Sequence, residues 1–450
     1  MRLSNETIAA LATPPGRGGI GIVRLSGPKV TSIAEALLGA LPPARKAVLR
    51  RFRDAEDNSI DEGVALYFPA PNSFTGEDVL ELQGHGGTVV MDMLLAEACR
   101  LGARPARPGE FSERAFMNDR LDLIQAEAIA DLIDSGSSQA ARAALRSLEG
   151  EFSRQVHALS DEMVQLRIYV EAAIDFPEEE IDFLGDDKVR KDVRALLGSL
   201  QQLMADAQQG CVLREGLVLV IAGLPNAGKS SLLNALAARD TAIVTAIPGT
   251  TRDVLRESIQ IDGLPLQIID TAGLREAGDE VEQEGIRRAW QEIEKADRIL
   301  FVVDDQQGMT AEAEALLSRL PKGLPITRVH NKIDLSGHGA DVEHNEQGEH
   351  VYVSAKAGLG ITALKTYLKD CAGYREATTN TFSARRRHLD ALQRATDLVG
   401  HGLQALEQAQ AGELLAEDLR QAHHALGEIT GEYSSDDLLG AIFSSFCIGK

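Results

Sequence analysis

The sequence predicts an α/β domain inserted into an α-helical domain, with an α+β domain preceding both. Short apolar runs separated by glycine and proline turns fill the first part of the chain, as is typical of α+β domains. A stretch rich in Ala, Leu, Glu and Gln follows, and helical periodicity returns near the C-terminal end. A domain whose ends lie close together can be inserted into another without disrupting it. We therefore expect an α+β domain at 1–118, an α/β domain at 213–375, and one helical domain formed by 119–212 and 376–450.

The charge balance argues against broad contact with nucleic acid. The 450 residues carry 46 basic and 68 acidic side chains, a formal net charge of −22. A protein with that balance has no general electrostatic attraction for a phosphate backbone. Two basic runs, at 50–53 and 385–388, are local exceptions. Such runs are more often solvated faces or helix starts, and RNA contact is the less common alternative.

The cysteines and the distribution of apolar residues indicate a cytoplasmic protein. The four cysteines show neither the spacing of a metal site nor a disulfide framework, which fits a reducing compartment. Residues 1–10 lack the apolar core of a signal peptide, and we expect no membrane contact because no apolar segment is long enough to cross a bilayer. For Cys447, in the C-terminal run 443–450, a buried structural thiol is the default explanation. A reactive or substrate-facing thiol is the sharper alternative.

A phosphate-binding loop begins the α/β domain. The sequence GLPNAGKS at 223–230 directly follows the apolar run 217–222, so a strand delivers the chain into the loop. Backbone N–H groups of such a loop surround the phosphates, the Lys229 ammonium reaches the β- and γ-phosphates, and the Ser230 hydroxyl ligates magnesium. The loop residues expected to contact the nucleotide are Asn226, Ala227, Gly228, Lys229, Ser230 and Ser231.

Two later motifs predict that the base is guanine. In the sequence NKID at 331–334, the Asp334 carboxylate accepts hydrogen bonds from the ring N–H and the exocyclic amine of guanine, a donor pair that adenine lacks. Adenine would leave this carboxylate unpaired, which makes the discrimination steep. The sequence SAK at 354–356 follows another short strand and can close over the base. The residues assigned to this part of the site are Asn331, Lys332, Asp334, Ser354, Ala355 and Lys356.

The groups that drive hydrolysis differ from those of Ras-like GTPases. In the sequence DTAG at 270–273, Asp270 faces magnesium and the Gly273 N–H meets the γ-phosphate, but Leu274 follows where Ras-like proteins have a water-orienting Gln. Two features offer replacements: the acidic stretch 279–282, and a monovalent cation held by the Asn226 amide oxygen. A solvated loop and a side chain bonded to its own backbone are the respective alternatives. The residues assigned here to nucleotide contact are Asp270, Thr271, Ala272 and Gly273.

A switch loop lies between these motifs. The sequence TAIPGTTRD at 245–253 is small and polar, and its Thr251 hydroxyl is expected to complete magnesium coordination when the γ-phosphate is present. Arg252 is open to two explanations, an arginine finger or a surface salt bridge. The loop residues assigned to the nucleotide site are Thr245, Ala246, Ile247, Pro248, Gly249, Thr250 and Thr251.

Five further motifs carry a family resemblance over essentially the whole length. They are ATPPGRGG at 12–19, FTGED at 74–78, QGHGG at 83–87, RPGEFS at 107–112 and FCIGK at 446–450. On these residues the chain resembles the MnmE (TrmE) family of tRNA-modification GTPases. These motifs are much more specific than the GTPase motifs, which many families share.

The resemblance implies a reaction and its partners. Members of this family act with the flavoprotein MnmG, which brings FAD, to add an aminomethyl-type group to C5 of the wobble uridine of certain tRNAs. A tetrahydrofolate derivative supplies the one-carbon unit. The resemblance further implies an N-terminal folate-binding domain that forms the homodimer, a heterotetramer with MnmG, and GTPase domains that dimerise with potassium bound. The rival from another class is a non-catalytic GTP-dependent switch for assembly of a ribosome or other partner. The folate residues and the C-terminal motif favour the enzyme.

The resemblance also assigns individual residues to the folate. A guanidinium and an ammonium suit the carboxylate tail of a folate, and a carboxylate suits its pterin donors. Arg120 stands where a Lys is expected in this family, and the two cations differ in geometry. Surface ion pairs are the alternative explanation for each residue. The folate residues implied are Arg24, Glu81, Arg120 and Lys450.

For GTP hydrolysis, the resemblance assigns water activation to Glu282. It also matches Cys447 to the C-terminal cysteine of the family, a candidate catalytic residue whose chemical role stays open. It assigns magnesium to Ser230 and Thr251. The potassium ligands implied are Asn226, Thr245, Ile247 and Thr250. This assignment agrees with the separate inference that Leu274 leaves hydrolysis without the usual Gln.

Overall fold

The N-terminal part folds around a six-stranded sheet. The structure, a computed structural model, describes residues 6–175, 187–237, 256–270, 293–345, 348–375 and 381–449. The sheet has the order β3-β4-β5-β2-β1-β6 and is antiparallel except for the β1–β6 pair. Its strands are β1 (Thr7–Leu11), β2 (Gly21–Ser26), β3 (Val48–Arg53), β4 (Ser59–Phe68), β5 (Val79–Gly84) and β6 (Ala103–Pro105).

The two faces of this sheet are different. Helices α1 (Val30–Leu38) and α2 (Thr88–Arg100) contribute to a core with Val23 and Leu25 of β2. Because side chains alternate along a strand, Arg24 between them lies on the opposite face. Helix α3 (Glu110–Met117) contributes Phe111 to a small cluster with Ile8 and Ala10 of β1.

Long helices make up most of the remaining N- and C-terminal segments. The helix Gly412–Thr430 packs along the helix Glu151–Asp175, and the helix Asp436–Ser444 shares an apolar cluster with the start of the helix Leu123–Ile133. These helices are α4 (Leu123–Ile133), α5 (Ser138–Leu148), α6 (Glu151–Asp175), α7 (Asp187–Glu215), α12 (Arg386–Ala409), α13 (Gly412–Thr430) and α14 (Asp436–Ser444).

The inserted domain is built on a seven-stranded sheet with the order β12-β13-β11-β10-β7-β9-β8. The strands are β7 (Leu217–Gly223), β8 (Arg256–Ile261), β9 (Leu264–Asp270), β10 (Arg298–Asp304), β11 (Ile326–Asn331), β12 (Val342–Asn345) and β13 (Gly348–Val353). The central strands are parallel, and β8 and β12 are antiparallel edges.

Helices cover both faces of the inserted sheet. Helices α8 (Lys229–Ala237) and α11 (Ile361–Cys371) pack on one face, and α9 (Ala311–Arg319) packs on the other. A four-residue helix, α10 (Ile333–Ser336), follows β11. A parallel sheet covered on both faces explains the continuous apolar character of its strands. The expected fold class, an α/β domain inserted between helical segments behind an α+β domain, is confirmed.

Contacts divide the chain into two compact units, one formed by 1–130, 147–200 and 390–450, the other by 131–146 and 201–389. In the second unit, the Asp131 carboxylate accepts hydrogen bonds from Arg214 and Arg385 at 2.8 Å each, and the Ser137 hydroxyl donates to the Gly263 carbonyl at 3.0 Å. The Ser137 bond joins residues 131–146 to the turn between β8 and β9, and the Asp131 bonds join them to α7 and to the residue before α12. No helix in the described part of the chain is long and apolar enough to span a bilayer.

Candidate functional site

The phosphate loop connects the end of β7 to the start of α8, and its backbone leaves no room for side chains at two glycines. Gly223 has φ +148°, and a Cβ there would lie 2.3 Å from the Val302 carbonyl oxygen. Gly228 has φ +95°, and a Cβ there would lie 2.2 Å from Asn331 Nδ2. Asn226 between them also has a positive φ, +64°. These conformations and close approaches are the reason glycine is needed at 223 and 228.

Lys229 is held against the loop that precedes it. Its ammonium donates hydrogen bonds to the Gly223 carbonyl at 2.9 Å and the Leu224 carbonyl at 3.0 Å. Lys229 is the first residue of α8, and Ser230 and Ser231 in the same first turn are exposed. The free N–H groups and the dipole of a helix N-terminus favour a phosphate at this point, next to the lysine charge.

Asn331 joins three of the sequence motifs through one buried side chain. Its Nδ2 donates to the carbonyl of Ala227 in the phosphate loop at 3.0 Å. Its Oδ1 accepts from the backbone N–H of Lys332 at 2.9 Å and of Ala355 at 3.0 Å. The structure therefore brings the phosphate loop, the NKID segment and the SAK segment together.

The other residues predicted to bind guanine lie around the Asn331 side chain. Lys332 has φ +71°, and its ammonium lies 2.6 Å from the Asp304 carboxylate. Asp334 lies in α10 and is exposed, as is Lys356. Ser354 is buried, and its hydroxyl accepts from the Ala357 N–H at 3.1 Å. An exposed Asp334 leaves its carboxylate accessible to a ligand.

Several predicted site residues lie outside the described residues, and their predicted roles are therefore not tested by the geometry. Asp270 is the last residue of β9, and only its backbone is described. The predicted residues outside the described ranges are Thr245, Ala246, Ile247, Pro248, Gly249, Thr250, Thr251, Thr271, Ala272, Gly273, Glu282 and Lys450.

In the N-terminal sheet, Arg24 and Glu81 lie directly opposite each other on β2 and β5. Their side chains form an ion pair at 2.9 Å, and they are 24% and 15% exposed. The Arg24 guanidinium lies 5.7 Å from the ring centroid of Phe74 and 5.9 Å from that of Phe111. The aromatic contacts and the carboxylate fix this cation at a partly open site.

The C-terminal tail reaches the same place. Arg24 Nη1 donates to the Gly449 carbonyl at 3.4 Å. Gly449 has φ +93°, and a Cβ there would lie 2.1 Å from the Leu11 carbonyl oxygen. The tail thus packs directly on the N-terminal sheet of the same chain, next to two of the residues assigned to folate.

Two further predicted residues are Arg120, which follows α3, and Cys447, which lies in the FCIGK motif. Arg120 is exposed, and its backbone N–H donates to the Ala115 carbonyl at 2.8 Å. Cys447 is exposed, so the default expectation of a buried thiol is wrong. The reason is that Phe446 takes the buried position, while the Cys447 carbonyl accepts from the Gly109 N–H at 3.3 Å.

Sequence reasoning missed the residues that surround Arg24. Phe74 and Phe111 belong to the FTGED and RPGEFS motifs, and those motifs were the available signal, but no periodicity shows that two rings flank one guanidinium. The buried brace behind them was also missed. In it, Arg114 donates to Glu77 at 2.7 Å, and Ser26 donates to the same carboxylate at 2.7 Å. The brace ties α3 to the FTGED loop and to β2.

Glu110, at the start of α3, belongs to the same brace, because its carboxylate lies 3.7 Å from the Arg114 guanidinium. Burial acts to raise its pKa, but hydrogen bonds from the Arg104 guanidinium and the Arg107 N–H outweigh that effect and lower the pKa to about 2. Glu110 is 2% exposed. It is therefore ionised at neutral pH and holds β6 to α3.

Four arginines of the two basic runs, 50–53 and 385–388, form ion pairs with carboxylates. These pairs favour the interpretation of the two runs as paired, solvated surfaces over RNA contact. The pairs are Arg51 with Glu62, Arg53 with Asp57, Arg385 with Asp131 and Arg386 with Glu215.

The fold and the phosphate loop define the class of the protein, a GTP-hydrolysing P-loop protein with an α/β nucleotide domain. The family model described as "GTP-binding protein TrmE N-terminus" matches residues 7–120, and the one described as "MnmE helical domain" matches residues 123–447. The chain is 59% identical to the tRNA modification GTPase MnmE of Marinobacter nauticus, with 100% of both chains covered. It is 58% identical to that of Hydrogenovibrio crunogenus, with 99% of both covered.

The chain therefore belongs to the MnmE family of tRNA modification GTPases. Among solved structures, a GDP·AlF4⁻ complex of Aquifex aeolicus Era is 26% identical over 40% of this chain and 66% of that chain, with a TM-score of 0.27.

Proposed function

We propose that this GTPase acts with a flavoprotein of the MnmG type, which carries FAD, to add an aminomethyl-type group to C5 of the wobble uridine of certain tRNAs. A tetrahydrofolate derivative is the one-carbon donor in this proposal. The protein works as a cytoplasmic homodimer that joins MnmG in a heterotetramer. The observation that carries the proposal is the Arg24–Glu81 pair between two aromatic rings, in the domain that matches the TrmE N-terminus.

The residues at this site fit a reduced folate. The Arg24 guanidinium matches the carboxylate tail, and the Glu81 carboxylate matches the N–H donors of the pterin. Phe74 is partly exposed and offers apolar surface, whereas the buried Phe111 ring supports the Arg24 guanidinium. The Arg24 guanidinium donates a hydrogen bond to the Glu81 carboxylate, so part of this ion pair has to be replaced by hydrogen bonds to the folate when it binds. When bound, the folate supplies the one-carbon unit. Arg120 and Lys450 are the further cations assigned to the site.

In the nucleotide site, Lys229 neutralises charge on the β- and γ-phosphates, and Asp334 recognises guanine. Ser230 and Thr251 are the proposed magnesium ligands, with Asp270 facing the ion, and Glu282 is proposed to orient the attacking water. These roles place charge stabilisation on the phosphate side of the site, where it is needed in the transition state.

Asn226 is the proposed protein side-chain ligand of potassium, with oxygens of Thr245, Ile247 and Thr250 completing the set. Asn226 is exposed and has φ +64°. Within the described residues, no hydrogen bond to its side-chain amide is present, which favours the cation ligand over a turn residue bonded to its own backbone. Potassium there would stabilise the charge that an arginine finger stabilises elsewhere.

The test of the function is wobble-nucleoside analysis by mass spectrometry in a strain that lacks this protein. We expect the C5-modified uridine to disappear and to return with the wild-type gene but not with Arg24→Ala. An unchanged nucleoside profile, with GTP hydrolysis intact in vitro, would favour the alternative function, a non-catalytic GTP-dependent assembly switch.

The test of the hydrolysis scheme uses the full-length protein. Replacing potassium by sodium at equal ionic strength should lower turnover sharply, and Glu282→Ala should lower turnover while GTP affinity stays near wild type. Equal rates in both salts would exclude the potassium site. A parallel loss of binding and rate in Glu282→Ala would show a structural role.

A further inference from the structure

Two consecutive carboxylates, Asp304 and Asp305, lie beside the segment that carries Asp334. Asp304 is the last residue of β10 and Asp305 directly follows it, and the Asp305 N–H donates to the Asn331 carbonyl at 2.9 Å. We call residues 330–338 the guanine-recognition segment.

Asp305 holds the guanine-recognition segment on both sides of Asp334. Its carboxylate is 4% exposed. One oxygen lies 3.4 Å from His330 Nδ1, before Asp334 in the chain. The other lies 2.7 Å from His338 Nδ1 and accepts a hydrogen bond from the Ser336 hydroxyl, both after Asp334. A buried carboxylate with this many donors loses much of its stabilisation if one oxygen is replaced.

Asp304 provides a second anchor within the same segment. Its carboxylate is 13% exposed and lies 2.6 Å from the Lys332 ammonium. Lys332 adopts a left-handed backbone conformation, φ +71°, that a non-glycine residue keeps only when its surroundings impose it. The Asp304 pair is one such constraint, two residues before Asp334.

Helix α10, which carries Asp334, is too short to orient that side chain alone. It has four residues, and its backbone closes with Leu335 N–H to the Lys332 carbonyl and Gly337 N–H to the Ile333 carbonyl. Isolated helical turns are unstable in water because nucleation is unfavourable. The orientation of Asp334 therefore depends on contacts made from outside the helix.

We propose that Asp305, supported by Asp304, is the positioning residue that fixes the Asp334 carboxylate toward the guanine ring. This inference rests on the proposed recognition of guanine by Asp334. Asp305 contacts the segment rather than the ligand, so its effect is on the selectivity between bases. It therefore determines how well the protein distinguishes guanine from a base that lacks the exocyclic amine.

The test is Asp305→Asn in the full-length protein, with dissociation constants measured for GDP and inosine diphosphate. Hypoxanthine, the base of inosine diphosphate, lacks the exocyclic amine from which Asp334 accepts a hydrogen bond. The ratio of the two dissociation constants therefore reports the orientation of Asp334. We expect the Kd for GDP to rise about tenfold and the preference over inosine diphosphate to fall severalfold. An unchanged ratio in a folded variant would overturn the proposal.

Matched variants distinguish a positioning role of Asp305 from a general loss of structure. Asp262→Asn removes an ion pair to Lys369, 2.8 Å long, at the turn between β8 and β9, and should leave both constants unchanged. Asp304→Asn tests the second anchor and should lower the base preference less than Asp305→Asn. If Asp305→Asn does not fold, an unchanged preference in Asp304→Asn overturns the proposal.

A further variant distinguishes a failure of the positioning role of Asp305 from a failure of guanine recognition by Asp334. Asp334→Asn should prefer xanthosine diphosphate to GDP, because the amide donates to the extra oxygen of xanthine. If Asp334→Asn keeps the guanine preference, the recognition role of Asp334 fails, and the positioning role fails with it. If the preference switches but Asp305→Asn keeps the wild-type ratio, only the positioning role is wrong.

Discussion

The nucleotide site and the N-terminal site are constructed in different ways. The phosphate loop is one contiguous stretch, 223–230, shaped by backbone conformations such as φ +95° at Gly228. The N-terminal site instead combines side chains from separate strands and loops, with Arg24 and Glu81 57 residues apart in the chain and Gly449 contributed by the opposite end. A site made of backbone is visible as a motif, whereas a site made of dispersed side chains is visible only once the chain has folded.

Topology explains the difference. The motifs of the nucleotide site follow β7, β9, β11 and β13, and the carboxyl ends of parallel strands meet at one edge of a sheet. In the N-terminal sheet, antiparallel register decides which residues face each other, and it brings Arg24 opposite Glu81. A shift of one residue would move both side chains to other partners and faces. The first site therefore depends on local conformation and the second on register.

The largest expected effect tests the backbone origin of the nucleotide site. Gly228→Ala should lower GTP affinity by about 100-fold or more, about 3 kcal/mol, because its Cβ would lie 2.2 Å from Asn331 Nδ2 at φ +95°. Gly373→Ala is the control, since its φ is +63° and nothing lies within 4 Å of its Cβ position. Titration with a fluorescent guanine nucleotide measures both. Near wild-type affinity for Gly228→Ala would refute the backbone argument.

Next in size is the acid sensitivity of the N-terminal brace. The pKa of Glu110 is about 2 in the folded protein, below the ordinary value of 4.5, so its stabilising contribution is complete above pH 4.5 and is lost as the pH falls toward 2. At neutral pH, Glu110→Gln should destabilise the N-terminal sheet by on the order of 3 kcal/mol.

Hydrogen exchange of β1, β6 and α3, followed by mass spectrometry, measures this effect. Glu149→Gln, at an exposed position, should exchange like the wild type. Equal protection in wild type and Glu110→Gln at neutral pH would mean that the ion pairs to Arg104 are energetically neutral.

A smaller effect tests the side-chain origin of the N-terminal site. Arg24→Ala should weaken binding of 5-formyltetrahydrofolate by about 1–3 kcal/mol, because it removes charge-assisted hydrogen bonds. GTP affinity should not change. Calorimetry with Arg100→Ala as control, an arginine that pairs with Glu97 on α2, separates the site from general charge loss. Unchanged folate binding in Arg24→Ala would show that the ligand binds elsewhere.

The smallest effect concerns a histidine pair formed by the first residue of the guanine-recognition segment, His330, and by His350 on β13. His330 Nε2 lies 2.9 Å from His350 Nδ1. Burial lowers the pKa of both imidazoles, and His350 lowers that of His330 further, as Arg328 does for His350. Because the folded pKa values lie below about 6.5, the unfolded chain binds protons first, and stability falls as the pH drops below that value.

Calorimetric unfolding between pH 7 and pH 5 checks this expectation. We expect a loss of about 1–2 kcal/mol for the GTPase domain in that range. His350→Gln should reduce the slope, and His344→Gln, at an exposed position, should not. A slope that is the same in wild type and His350→Gln would exclude the pair as its source.

Sequence motifs were sufficient to predict the α/β fold class, the family, and the position of the phosphate loop. Gly223, Gly228 and Lys229 occur at fixed spacing because consecutive backbone groups surround one ligand, so the information is local. The folate residues were assigned only by resemblance, since no spacing along the chain connects Arg24 to Glu81. The expectation for Cys447 was wrong because burial there depends on which of two neighbours, Phe446 or Cys447, packs inward.

The sequence by itself determined which stretches form strands, helices and a phosphate loop, because periodicity and glycine conformation act over a few residues. Only the tertiary structure decided which distant groups meet: Arg24 with Glu81 and Gly449, Asn331 with Ala227, and Asp305 with His330 and His338. The physical reason is that strand register and the packing of loops on a sheet are set by the whole domain. Contacts between residues far apart in the chain follow from that packing and leave no pattern in the sequence.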